Sequence, residues 1–165
     1  MMLAEFNGAH RSDAVELLRP CLDIRRWYEQ VADARPYADR EAVMRAAREA
    51  AQPFTVDEVA TAMSHHPRIG ERPTGSGADA AHSRAEQASL DANDAATQAA
   101  LADGNRAYER KFDRVFLIRA AGRSAEEILA ALTERLAHSA AEEETIVAGQ
   151  LREIALLRLE GLITS

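Results

Sequence analysis

The sequence predicts an all-α fold, a single-domain multi-helix bundle, and three observations support it. Ala, Leu, Glu and Arg dominate the 165 residues, while Val, Ile, Tyr, Phe and Trp are scarce. That bias favours helix over strand. Apolar residues recur at three- and four-residue spacings, which line up on one face of a helix. Helix-start signals also recur, enough for about seven or eight helices.

In chain order, Ser12-Asp13 opens Ala14-Val15-Glu16-Leu17-Leu18, and Pro20 interrupts the pattern. Asp39-Arg40-Glu41 opens the run through Val43, Met44 and Ala47. Thr55-Val56-Asp57-Glu58 has the form of a capping box, a hydroxyl and a carboxylate three residues apart that each accept from the other's backbone N–H. Ser124-Ala125-Glu126-Glu127 repeats the device ahead of Ile128, Leu129, Leu132 and Leu136. Ile146, Val147, Leu151, Ile154, Leu157 and Leu162 mark the apolar face of a long last helix. Only Val115-Phe116-Leu117-Ile118 reads as extended or as a buried turn, and four residues make no sheet alone. Ser64–Gly77, with two Pro, three Gly and the pair His65-His66, separates the Thr55 helix from a polar one starting near Asp79. A connection of that length in a small chain is functional or disordered.

Composition narrows the function. The net charge of −7 (20 Lys+Arg against 27 Asp+Glu) argues against nucleic-acid binding, which needs a basic face. The single cysteine, Cys21, excludes an internal disulfide framework and an all-cysteine zinc site. No apolar run reaches membrane-spanning length, and neither end carries a signal-peptide layout or a peroxisomal tripeptide. The expectation is one soluble, cytoplasmic domain over residues 1–165.

Several residues could carry chemistry. Pro67 disfavours helical geometry at His66, so the His65-His66 pair sits where a helix stops. A histidine there suits proton transfer near neutral pH, and equally suits the exposed end of a helix dipole. Ser83, Glu86 and Gln87 stand at i, i+3 and i+4 and share a helix face, either a recognition surface or a solvated polar one. His82 and Glu86 have metal-chelating spacing, with no third ligand at a telling distance. Arg158, hemmed by Leu156, Leu157, Leu159 and Leu162, either snorkels or serves a carboxylate or urea-like carbonyl in a pocket. Arg152, six residues earlier, cannot share its face closely. Cys21, Trp27 and Tyr28 read as packing residues. On these residues alone a helical binding module, or a metal-dependent hydrolase using His65, His66, His82 and Glu86, stays open beside a metal-free enzyme.

The segments in series resemble the 2-oxo-4-hydroxy-4-carboxy-5-ureidoimidazoline (OHCU) decarboxylase family. The resemblance rests on His66-Pro67-x-Ile69-Gly70, Ser83-Arg84-x-Glu86-Gln87, and Tyr108-x-x-Lys111-Phe112 leading into Val115–Ile118. Gly122-Arg123-Ser124 with its helix and Leu157-Arg158-Leu159 complete it. It implies a helical bundle with the active site in a central cleft, no metal and no cofactor. The activity it implies is decarboxylation of OHCU to (S)-allantoin in urate breakdown, with stereospecific protonation. It implies His66 and Glu86 as catalytic residues, and Pro67, Ser83, Gln87, Arg158 and the backbone around Phe116 and Ile118 as substrate-binding. It also implies a cytoplasmic homodimer. Phe112-Asp113-Arg114-Val115-Phe116 departs from the more apolar, Gly/Pro-containing run of some relatives, which bears on pocket shape.

Overall fold

The computed structural model describes residues 1–70, 77–87 and 95–165, with Asp79 described by its backbone. Among them are α1 (Leu3–Gly8), α2 (Arg11–Leu18), α3 (Arg25–Asp33), α4 (Arg40–Glu49), α5 (Val56–Met63), α6 (Ala78–Glu86), α7 (Ala95–Phe112), α8 (Ala125–Arg135) and α9 (Ala140–Leu162). The described residues hold no strand, so the all-α expectation stands. The nine helices among the described residues exceed the seven or eight start signals for a local reason. The residues at the N-caps of α1 and α3 are Met2 and Ile24, which carry no polar capping group. Ser12-Asp13 lies inside the first turn of α2, whose N-cap is His10, and not ahead of it. Within the Ser64–Gly77 connection, residues 71–76 lie outside the described residues.

The chain forms two compact units. The first comprises Met1–Ala62 and Leu151–Ser165. Its core includes Phe6, Leu18, Ile24, Trp27, Val31, Val43, Leu151 and Leu159. Asp39 caps α4 as the sequence predicts, its Oδ1 accepting from the Ala42 N–H at 2.7 Å. The Thr55 capping box also forms, with Glu58 N–H donating to Thr55 Oγ1 at 3.1 Å and Thr55 N–H to Glu58 Oε1 at 2.8 Å. Trp27 is fully buried and donates from its indole N–H to the Ala47 carbonyl at 2.8 Å, a packing role as expected. Cys21 is buried too.

Arg152 explains how α4 ends. Its Nη1 donates to the carbonyls of Ala47, Arg48 and Ala50 (3.3, 2.9 and 2.8 Å) and its Nη2 to Ala51 at 3.4 Å. Ala47 and Arg48 carry orphan carbonyls of the α4 C-terminus, and Ala50 and Ala51 follow directly after it, so the helix end gains donors and a cation. The guanidinium also lies over the Phe54 ring, 4.0 Å from its centroid. Arg152→Ala should cost about 1–3 kcal/mol of stability, because it removes a charged donor from the Ala50 carbonyl and from three carbonyls that keep a second donor in Trp27, Gln52 and Arg26. Arg152→Lys should recover only part, since an ammonium cannot fan across four acceptors. Urea unfolding midpoints of the two variants check both statements.

The second unit is Met63–Gln150. Ile69, Leu101, Tyr108, Phe116, Ile118, Ala120, Ala125, Ile128 and Leu132 form its core. The Ser124 capping box starts α8, with Glu127 N–H donating to Ser124 Oγ at 3.1 Å and Ser124 N–H to Glu127 Oε2 at 2.9 Å. Gly104 lets α7 approach α8 closely, since a Cβ there would collide with the Leu132 side chain. Residues 115–120 run without helix or strand, yet Phe116, Leu117 and Ile118 are buried. A buried irregular segment must have its backbone groups met by partners from outside itself.

Candidate active site

Helix α5 stops at Met63, and the His66 N–H donates to the Met63 carbonyl at 3.2 Å to close the turn. His66 and Pro67 are half-buried on the segment that follows. Three contacts within the second unit hold that segment in place. Ile69 is buried in the core, and its carbonyl accepts from Asn105 Nδ2 at 2.8 Å. Arg68 forks onto the Glu109 carboxylate (Nε at 2.5 Å, Nη2 at 3.0 Å). Gly70 has φ +89°, a left-handed conformation that side chains rarely adopt, and its N–H donates to Gln87 Oε1 at 3.1 Å.

That last bond joins two motifs seventeen residues apart. Gln87 is the C-cap of α6 and lies just past the helix, where the sequence pattern alone put it on the helical face. Its N–H still donates to the Ser83 carbonyl at 3.1 Å, so the turn is complete. Ser83 is buried, while His82, Glu86 and Gln87 are half-buried. The second unit therefore contains His66, Pro67, Ser83, Glu86, Gln87, Phe116 and Ile118. Arg158 belongs to the first unit, where it is buried and donates from Nη1 to the Pro20 carbonyl at 3.0 Å. It does not snorkel. Among the described residues, no group of three His, Cys, Asp or Glu side chains is placed to hold a metal. A cleft of about 310 Å³ lies between Arg68–Gly70 and the Gln98–Glu109 stretch of α7, and its described lining includes neither His66 nor Glu86.

Sequence reasoning missed a buried charged cluster behind Phe116. Glu143, 1% exposed, accepts from the Tyr108 hydroxyl at 2.5 Å and from Arg135 Nε at 2.9 Å, and lies 3.0 Å from His138 Nδ1. Arg135 lies over the Phe116 ring, 4.5 Å from its centroid, and its Nη1 donates to the Leu117 carbonyl at 2.5 Å. Burial pushes the Glu143 carboxyl up, but hydrogen bonds from Arg135, Tyr108 and His138 outweigh it and hold its pKa below the ordinary carboxylate value. Burial, reinforced by the Glu143 carboxylate, raises the Tyr108 phenol. The signal was present in the spacing. Arg135 continues the buried Ile128, Leu132 face of α8, and Glu143 precedes Val147 and Leu151 at four-residue steps on α9.

The model of the OHCU decarboxylase family matches residues 7–160. A 2-oxo-4-hydroxy-4-carboxy-5-ureidoimidazoline decarboxylase of Amia calva is 37% identical over 103 residues, covering 59% of this chain and 57% of that protein. The uric acid degradation bifunctional protein TTL of Arabidopsis thaliana is 31% identical over 147 residues, 87% of this chain and 45% of that one. The chain thus spans about half the length of the curated relatives it matches. Among solved structures, an OHCU decarboxylase crystallised in the presence of (S)-allantoin superposes with a TM-score of 0.71 at 26% identity, covering 93% of this chain and 98% of the other. An (S)-allantoin synthase, 16% identical, shares the fold with a TM-score of 0.70 over 99% of this chain and 54% of its own. The family match runs through both helical units and takes in the His66-Pro67 segment, the end of α6 and the buried Phe116–Ile118 stretch: this chain belongs to the OHCU decarboxylase family.

Proposed function

We propose that this chain decarboxylates OHCU to (S)-allantoin without a metal or organic cofactor. The observation that carries the reading is the Gly70–Gln87 hydrogen bond, which ties the histidine-bearing segment to the end of the helix bearing Ser83 and Glu86. The substrate's chemistry fits these residue types. Cleavage of the carboxylate from ring carbon 4 leaves an electron pair that moves into the adjacent C=N bond. The hydroxyl proton then leaves as carbon 4 becomes a carbonyl, carbon 5 takes up a proton, and one further proton from water neutralises the ring nitrogen that received the electron pair. The ring absorbs the electron pair, so the protein must manage two protons and the developing negative charge. In this reading His66 moves the proton and Glu86 orients His66 or grips ureido N–H groups. Pro67, Ser83 and Gln87 line the pocket, and backbone groups at Phe116 and Ile118 hold the ring. Arg158 enters from the family resemblance alone, as the guanidinium that binds a substrate carbonyl or carboxylate. Delivery of the proton to one face gives a single enantiomer.

The test follows circular dichroism of freshly generated substrate, made from urate by oxidation and ring-opening hydrolysis, with EDTA present throughout. Faster decay into dextrorotatory allantoin than in the blank supports the proposal. Decay at the blank rate by folded protein overturns it and leaves the helical binding module. The same resemblance supplies a cytoplasmic homodimer. Light scattering of the purified protein at twice the chain mass supports the dimer, and a single-chain mass removes it.

A further inference from the structure

Four backbone groups surround the Ile118 α-carbon, and the structure treats them in two pairs. A trans peptide bond points the carbonyl of one residue and the N–H of the next in opposite directions within one plane. The cis bonds of the described chain are Arg35-Pro36 and Gln52-Pro53, so both peptides flanking Ile118 are trans. The Leu117 carbonyl accepts from Arg135 Nη1 at 2.5 Å, which fixes the plane that also carries the Ile118 N–H. The Arg119 N–H donates to Gln150 Oε1 at 2.8 Å, which fixes the plane that also carries the Ile118 carbonyl. Both Ile118 groups are therefore aimed away from the side chains that anchor their planes. Arg135 is itself held by the Glu143 carboxylate and by its stack on Phe116, so the first anchor is rigid. Gln150 stands on α9 in the same unit.

We infer that Arg135 and Gln150 are positioning residues, which act through the peptide planes on either side of Ile118 to aim its N–H and carbonyl at the substrate ring. The inference rests on the decarboxylase reading and adds residues that touch no substrate atom. An irregular segment of buried backbone has no helix or ladder to fix its peptide directions, so side chains must do it. A forked guanidinium suits the task because its donors keep a fixed geometry.

The experiment measures kcat, KM and urea midpoints for the wild type and three variants in the circular dichroism assay. Gln150→Leu removes the acceptor for the Arg119 N–H and should raise KM about tenfold with kcat within about threefold, as expected when a grip common to ground and transition states is lost. Gln150→Glu puts a carboxylate oxygen where the amide oxygen stood and should return KM to within about threefold of the wild type. Arg135→Lys keeps a cation against Glu143, loses the second arm to Leu117, and should raise KM as Gln150→Leu does. A purely structural role would lower the urea midpoint and leave KM alone. With active wild type, an unchanged KM in Gln150→Leu and Arg135→Lys overturns the inference. An inactive wild type overturns the decarboxylase reading and this inference with it. Should Arg135→Lys fail to fold, the two Gln150 variants decide the matter alone.

Discussion

His66→Asn should lower kcat for OHCU decarboxylation by about 10²- to 10⁴-fold, the range ordinarily lost with a positioned acid or base. The side chain is half-buried and outside the core cluster, so the fold should survive the change. The segment around it is held by contacts that do not involve the imidazole: Ile69 in the core, Asn105 on the Ile69 carbonyl, Arg68 on Glu109, and Gly70 on Gln87. Those contacts persist in the variant and the asparagine fills a similar volume, so the loss of rate should far exceed any fall in the urea midpoint. The product carries the second half of the test. If His66 delivers the proton to carbon 5, residual turnover in His66→Asn loses its enantiomeric preference, read from the optical rotation of the allantoin formed. Unchanged turnover removes His66 from the mechanism. A slow variant that still yields one enantiomer leaves His66 in the proton traffic at the hydroxyl and assigns the delivery to another group.

What the sequence made legible was local. Capping boxes at Thr55 and Ser124 and the Asp39 cap all form, because each depends on residues three positions apart. The α6 face could be read for the same reason, with only Gln87 slipping past the helix end to the cap. Helices α1 and α3 escaped because Met2 and Ile24 carry no polar capping group, although the Glu5 carboxylate accepts from the Met2 N–H at 2.8 Å at the start of α1. For Arg152 the sequence showed only that it cannot share the face of Arg158; its donation to the Arg48 and Ala50 carbonyls at the end of α4 joins residues about a hundred positions apart. The Gly70–Gln87 bond and the Arg135–Leu117 bond are likewise non-local. Neither residue type announces such a partner, although Arg135 on an apolar helical face was a visible anomaly.

Glu143→Ala should be the most damaging single substitution away from the reacting groups, costing about 3–5 kcal/mol, because it strands a buried cation. Arg135 is 6% exposed and would keep its charge with no carboxylate against it, while the Tyr108 hydroxyl would lose its acceptor. Against a total stability of about 5–15 kcal/mol for a domain, that leaves a protein close to its unfolding threshold. Replacing both charges, as Arg135→Met with Glu143→Leu, should recover most of the loss, since a buried pair is often matched by apolar groups of similar volume. Acid unfolding supplies an independent reading with a defined sign. The Glu143 carboxyl titrates below its unfolded value in the native state, so its contribution is fully present above the unfolded pKa of about 4.3 and disappears as pH falls through the lower native value. The wild type should therefore lose stability below about pH 4.3 more steeply than the double variant, which has no carboxylate to protonate there. Other carboxylates, such as Glu58 beside Arg26, contribute equally to both proteins and cancel in the comparison. A Glu143→Ala variant that lost less than about 1 kcal/mol would mean that water or a shifted Arg135 replaces the ion pair. The stable double variant would also separate two roles of the cluster, because it restores packing behind Phe116 without restoring a donor to the Leu117 carbonyl.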